Sequence, residues 1–294
     1  MKKLLLSALV LCMALFVSCS KDSDSASNSG GGSTLKRLHE TYQKEDYLRL
    51  TWNNETQTWD TTENHVGHFS LTQTFNWNGD KLVSVGNNYI NLEYNNDGLV
   101  SKVVRESANG EADTAYFYYN GDNQIIKMDR YEYKDVEPEP FYRFTTWDIT
   151  YSNGKPINAS SSDGLSMQAT WTGDNITELQ YMLNSSVKCR ETFTYDNCYN
   201  FCYGFNCMEA ISMAGGKSFD GGFFRYMSFV SKNNVINYQS TYDESWSNIL
   251  SDENIDYHYT YSGNYPIERV YQHHTETETY ISTYTHTNKY VYLN

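Results

Sequence analysis

The chain has 294 residues, with 22 basic against 36 acidic side chains and a formal net charge of −14. An acidic chain with no basic stripe is a poor partner for nucleic acid, where affinity comes from cations neutralising phosphates. Four prolines and 18 glycines exclude collagen-like and proline-rich classes, while 27 tyrosines, 13 phenylalanines and 6 tryptophans supply a core that scarce aliphatic residues do not.

The first elements form an address. Lys2 and Lys3 precede an apolar stretch, Leu4 to Val17, that is too short to span a bilayer with ease. The stretch ends Phe16-Val17-Ser18-Cys19, which resembles a bacterial lipobox: small Ser18 suits the cleavage pocket and Cys19 offers the thiol that receives a diacylglycerol. An ordinary secretory signal with cleavage nearby is the competing reading. Residues 1–18 are therefore expected to be a lipoprotein signal peptide. Residues 19–34 carry no apolar side chain larger than Ala beyond Cys19 and should be a flexible acidic, Ser/Gly tether. The stretch Ser20 to Asp24 is similar to the acidic export signal of Bacteroidetes-type lipoproteins, which implies an outer-membrane lipoprotein with its domain facing outward. Without Lys2 and Lys3 the mature chain has 20 basic and 36 acidic groups, a net charge of −16 that anionic membrane surfaces repel. Attachment to the membrane would then rest on the acyl chains.

Residues 35–294 read as a single β domain. Segments of alternating aromatic or β-branched and polar residues run into turn signals and resume: FNWNGDKLVSV (75–85), LEYNNDGLVSKVV (92–104), YYNGDNQIIKM (118–128), ITYSNGKPINAS (149–160), ATWTGDNITEL (169–179), SFVSKNNVINY (228–238) and YTYSGNYPIERV (259–270). Turn centres fall near Gly79, Gly98, Gly121, Gly154, Gly173, Asn233 and Gly263, and a degenerate copy places a further turn at Asp196-Asn197. Tyr94, Tyr119, Tyr151, Trp171, Tyr195 and Tyr261 each stand shortly before a turn, where period-two alternation sets them on the same face as the aliphatic that follows it. This hairpin repeat predicts an all-β fold: a long antiparallel meander curled into a soluble barrel-like or wrapped sheet, with little helix beyond a turn or two in Asn206 to Ala214.

The Tyr-x-x-x-Gly-x-hydrophobic hairpins resemble the tyrosine-aspartate repeats of bacterial surface and toxin shells. More specifically, SKNN at 231–234 followed by YTYSGNYPIERV resembles an uncharacterised Bacteroidetes outer-membrane lipoprotein family, a domain of unknown function with a porin-like fold. The resemblance implies a curled or closed sheet and brings no catalytic residues. A membrane-spanning barrel is not expected, because strands such as TETETYISTYTHT (275–287) present a polar set in either phase.

Candidate chemistry is sparse. Cys189, Cys198, Cys202 and Cys207, spaced C-x8-C-x3-C-x4-C, are expected to form one or two disulfides in an oxidising compartment, with free thiols or a zinc site as the weaker alternatives and no metal assigned. His65 and His68, and the neighbours His273 and His274, point to opposite faces of a strand and make poor ligand pairs. No nucleophile elbow, metalloprotease, phosphate-loop or dinucleotide motif occurs, and no cofactor is implied. Trp52 and Trp59, in TWNNETQTWDTTEN, are the least core-like aromatics and the candidate ligand-binding residues. The favoured reading is a noncatalytic, membrane-tethered binding module whose partner is a glycan or another envelope protein. The alternatives are a barrel enclosing a glycan or small apolar ligand, and a hydrolase whose carboxylate pair is hidden among many acids.

Overall fold

The computed structural model describes residues 36–86, 89–106, 112–134, 141–203, 205, 207–214, 230–243 and 253–293. The strands follow one another as β1 (Arg37–Asn53), β2 (Thr58–His65), β3 (Ser70–Asn78), β4 (Lys81–Val85), β5 (Ile90–Tyr94), β6 (Val100–Glu106), β7 (Ala112–Tyr119), β8 (Ile125–Lys134) and β9 (Phe141–Ser152). They continue as β10 (Lys155–Ser161), β11 (Leu165–Thr172), β12 (Asn175–Leu183) and β13 (Ser186–Tyr199). After a short helix, α1 (Met208–Ala214), come β14 (Asn233–Tyr242), β15 (Glu253–Ser262), β16 (Tyr265–Glu276) and β17 (Tyr280–Leu293).

From β3 to β17 each strand pairs antiparallel with the next. β1 then pairs with β17 from Arg37↔Leu293 to Thr51↔Tyr280, so the meander closes on itself. β2 and β3 occupy successive parts of the other edge of β1, at Tyr47↔His65 and Thr41↔Gln73. Seventeen strands thus make a closed barrel of sixteen positions. Closure hides the edges that an open meander would present to other chains. The all-β, antiparallel expectation holds, and α1 lies within the stretch where a turn of helix was expected.

The repeated turns share one end of the barrel. Gly79, Gly98, Gly154, Gly173 and Gly263 take φ from +55° to +81°, a region that costs a side-chain-bearing residue energy, and at the Gly121 turn Asn123 takes φ 61° instead. Both ends of the closing pair, Arg37 and Leu293, lie there too. Just inside this rim the aromatic before each turn faces the aliphatic after it, as the alternation predicts: Trp77↔Leu82, Tyr94↔Val100, Tyr119↔Ile125, Tyr151↔Pro156, Trp171↔Ile176 and Tyr261↔Pro266.

Beside every one of these pairs the register slips by one residue. The extra residue turns outward, leaving Ile126, Ile157 and Ile267 exposed, and the carbonyl before it is taken by an aromatic of the neighbouring strand. Trp77 Nε1 donates to Leu38 O (2.9 Å), Tyr94 Oη to Leu82 O (2.6 Å), Tyr119 Oη to Val100 O (2.7 Å), Trp171 Nε1 to Pro156 O (2.8 Å) and Tyr292 Oη to Pro266 O (2.8 Å). The bulge bends the strand, and the ring's polar tip supplies the partner that the disrupted ladder withholds.

The described part of the connection from β13 to β14 does not stay outside. Phe201 stacks on Tyr290 of β17 (4.8 Å), Phe205 meets Trp77 of β3 edge-on (5.0 Å), Glu209 accepts a hydrogen bond from Tyr151 of β9, and α1 lies against β6 and β7. A segment that touches lumenal side chains of so many walls fills the lumen as a plug. Met208, Ala210, Ser212 and Met213 are all buried.

Two corrections follow. The turn expected at Asp196-Asn197 is absent: both residues lie within β13, where no glycine supplies a turn and Asp196 Oδ1 instead accepts the Cys198 and Asn234 main-chain N–H groups (2.9 and 3.2 Å). Asn233 opens β14 and is not a turn centre. It belongs to a clamp at the plug's exit, in which Ser231 Oγ accepts the Ile176 N–H (3.0 Å), Asn233 Nδ2 donates to Cys198 O (3.0 Å) and Asn234 Nδ2 donates to Tyr199 O (2.9 Å). Of the four cysteines expected to pair, Cys202 and Cys207 are free, buried thiols. Cys189 stands on the barrel wall and the other two within the plug, where they serve as small apolar side chains.

Candidate functional site

Between the turn end and the plug lies a cavity of about 850 Å³. Three kinds of residue build it. Trp77, Tyr94 and Tyr119 present the rings whose polar tips the bulges hold in place. The plug forms the floor with Phe205, Cys207 and Glu209. The rim carries Lys36, Arg37, Lys81, Asp80 and Asp97.

Local turns position these groups. Asn95 Oδ1 accepts the N–H groups of Asp97 (3.0 Å) and Leu99 (2.9 Å), which fixes the loop that carries Asp97. Asn120 repeats the device one hairpin later, accepting from Asp122 and Gln124 (both 3.0 Å). Lys81 Nζ lies 5.0 Å from the Tyr94 ring centre and the Arg37 guanidinium 5.8 Å from the Trp77 ring, so the rim cations rest on the aromatic walls.

Electrostatically the mouth is balanced. Three cations face three carboxylates, counting Glu209, and Asn123 adds an amide. Burial raises the Glu209 carboxyl above its ordinary range despite the hydrogen bond from Tyr151, which works in the other direction. Burial also pushes the Cys207 thiol up to about 12 and raises the Tyr94 and Tyr119 phenols. The cavity therefore offers charged rim groups of both signs and neutral donors beside flat rings. No reactive thiolate stands in it at neutral pH.

No protein-family model matches the chain, and no curated protein matches it. Among solved structures it is similar to a porin-like protein from Bacteroides vulgatus ATCC 8482, at 12% identity and TM-score 0.47 over 88% of this chain and 99% of that one. It is also similar to a porin-like protein from Bacteroides uniformis ATCC 8492, at 12% identity and TM-score 0.36 over 87% of this chain and 98% of that one.

The residues singled out in the sequence do not converge on this cavity as a group. Cys19 lies outside the described residues. Trp52 and Trp59 pair across the β1–β2 hairpin with ring centres 5.3 Å apart, at the opposite end of the barrel from the repeated turns. Trp59 is exposed, as expected, and Trp52 is half-buried. Of the four cysteines, Cys202 and Cys207 line the mouth while Cys189 and Cys198 do not. His273 packs edge-on against His286 (5.5 Å), whereas its neighbour His274 pairs with Glu276 (3.9 Å), so the two point apart.

The sequence reading missed Trp77, Tyr94, Tyr119 and Glu209 as site residues. Three of them are repeat aromatics whose position before a turn was legible. Their gathering round a plug was not. The dense apolar set Phe201, Cys202, Phe205, Cys207, Met208 and Ile211 in a connecting segment was the available signal, since a surface loop has no use for it.

Proposed function

We propose that this protein is a noncatalytic, lipid-anchored binding barrel of the cell envelope that holds a neutral polyhydroxylated ligand, a glycan, in its mouth. The observation that carries the reading is the 850 Å³ cavity in which aromatic faces stand beside a charge-balanced rim of carboxylates, ammonium groups and an amide. Sugars need flat apolar faces for their C–H surfaces and paired donors and acceptors for their hydroxyls, and a balanced rim does not select for an ion. The size lies within the usual small-ligand range.

Attachment through Cys19 and an outer-membrane location rest on the lipobox and on the acidic stretch after it. The outer wall supports a barrel held beside the membrane and not across it. Outward positions carry Gln168 and Thr170 on β11, Arg190, Thr192 and Thr194 on β13, and Asp256, His258 and Thr260 on β15. A lipid-facing band requires apolar groups at those places.

The test is a glycan array probed with the mature chain, followed by calorimetry on the best binder. Asp97→Ala and Lys81→Ala should each weaken that binding roughly ten-fold, the loss expected for a charge-assisted hydrogen bond. Trp52→Ala and Trp59→Ala should leave it unchanged. A chain that binds no glycan, or whose binding survives the rim substitutions, refutes the assignment. Release of reducing ends by the parent but not by Glu209→Gln would replace it with a hydrolase.

A further inference from the structure

A second cavity, of about 450 Å³, lies on the other side of the plug. Phe201, Met208 and Ile211 of the plug face it, with Phe75 and Val85 on the barrel wall. Tyr89, 43% exposed, also lines it and opens it to solvent beyond the plug.

Its polar side is unusual for so acidic a chain. Among the described residues that line the cavity are two guanidinium groups, Arg105 and Arg269, and no carboxylate. Arg269 Nη2 donates to Asn288 Oδ1 (3.0 Å), and its guanidinium lies 5.1 and 5.3 Å from the Tyr257 and Tyr271 rings. Its Nε, however, is shut off from solvent without a hydrogen-bond partner. The Tyr290 hydroxyl, on a residue 6% exposed and lining the same cavity, is equally buried and unpartnered. Arg105 Nε donates to Tyr89 Oη (2.9 Å). A desolvated cation costs energy unless an anion answers it, and an unmade buried hydrogen bond adds to that cost.

We propose that this inner cavity binds an amphipathic carboxylate, with its anionic head between Arg105 and Arg269 and its apolar body against Phe75, Phe201 and Ile211. The carboxylate completes the hydrogen bonds that Arg269 Nε and Tyr290 Oη lack, and guanidinium groups suit a carboxylate's planar pair of oxygens. The apolar wall separates this ligand from a bare inorganic anion, and the two cations separate it from an uncharged lipid.

The test is calorimetry on the mature chain with three probes: decanoate, decan-1-ol and inorganic sulfate. Decanoate should bind, and the other two should bind at least ten-fold more weakly. Arg269→Gln and Arg105→Gln should each weaken decanoate roughly ten-fold or more, as expected when a hydrogen bond to a charged group is lost. Ile211→Trp, which keeps both arginines but fills the apolar part, should also abolish binding, so the outcome does not depend on one substitution folding well. Asp97→Ala in the mouth should not change decanoate affinity, which keeps this site separate from the glycan reading. Equal affinity for decanoate and decan-1-ol, equal affinity for sulfate, absence of decanoate binding, or undiminished binding by the arginine variants would each overturn the proposal.

Discussion

The hydrogen bonds from lumenal rings to bulge carbonyls should be a principal source of the turn end's stability. Tyr119 donates to Val100 O (2.7 Å) and Tyr292 to Pro266 O (2.8 Å), and Tyr195 makes the equivalent bond to Ile176 O. Changing each of the three to Phe keeps the ring and its packing and removes the donor, and at Tyr195 also the 3.0 Å hydrogen bond with Ser231 Oγ. One such bond contributes about 1 kcal/mol, more where the acceptor is left buried without a replacement. The residues stand on β7, β13 and β17, share no partner, and should add, for a total of about 3 kcal/mol. At roughly 2–4 °C per kcal/mol for a domain of this size, the triple variant should melt about 6–12 °C lower. The matched control is Tyr116→Phe with Tyr131→Phe, two exposed rings on the outer wall, which should move the midpoint by less than about 1 °C. Thermal unfolding followed by near-ultraviolet circular dichroism reads both. If the triple variant melts within about 2 °C of the parent, or the outer pair costs as much, the carbonyls do not need these donors and the account of the bulges is wrong.

Three further outcomes are expected. Burial raises the folded-state carboxyls of Glu209 and Asp196 above their ordinary values of 4.5 and 3.8, so the stability they contribute is complete below those values and lost as pH rises through the raised ones. Relative to the parent, Glu209→Gln and Asp196→Asn should therefore gain stability as pH climbs from about 4 toward neutrality, and a difference that runs the other way in urea titrations would contradict the burial argument. Cys202 and Cys207 should react slowly with a thiol reagent in the native protein and at once in unreduced denaturant; protection of either in unreduced denaturant would place it in a disulfide. Ile125→Ala should cost about 2–5 kcal/mol, since Ile125 is 2% exposed, whereas Ile126→Ala next to it should stay within about 0.5 kcal/mol because the bulge turns it outward; similar losses at both would mean that the register slip is misplaced.

What was legible in the sequence was local. Asn-Gly, Asp-Gly and Gly-Asp announce positive φ, and an aromatic two to four residues earlier with an aliphatic beyond announces a lumenal pair, so the turn end could be drawn from segments such as YNNDGLV and YYNGDNQI. Closure was not local: it depends on β1 meeting β17 in register across nearly the whole chain, and nothing in RLHETYQKEDYLRLTWN names that partner. The bulges were equally hidden, because inserting Ile126, Ile157 or Ile267 into a strand leaves an ordinary β-branched residue in the sequence. The error at Asp196-Asn197 has the same root. Asp can turn a chain or accept two main-chain N–H groups within a strand, and the choice was made by Asn234, which arrives only after the plug.

The distribution of cations ties the fold to the inner cavity. Lys44, Lys102, Lys127, Lys188 and Lys289 occupy outward positions, opposite Thr287, Tyr116, Asp148, Asp243 and Glu268 of neighbouring strands or loops. Arg49, Arg105, Arg130, Arg143 and Arg269 occupy lumenal ones. Arg130, 6% exposed, shows what that placement costs. Its Nη2 lies 3.8 Å from Asp113 and 3.9 Å from Glu132, close enough to neutralise but too far to hydrogen-bond, and burial pulls its pKa below the usual arginine value. An ammonium is strongly hydrated and stays charged in a dry interior only at great expense, whereas a delocalised guanidinium tolerates desolvation against rings and weakly held acids. Placing arginine and not lysine at these lumenal positions therefore keeps positive charge inside the barrel, while Arg190 on the outer face of β13 is under no such constraint. At Arg130 two carboxylates of the wall answer that charge. At Arg269 the described residues of the wall offer tyrosine rings and one amide, and it is here that the proposed carboxylate would supply the anion.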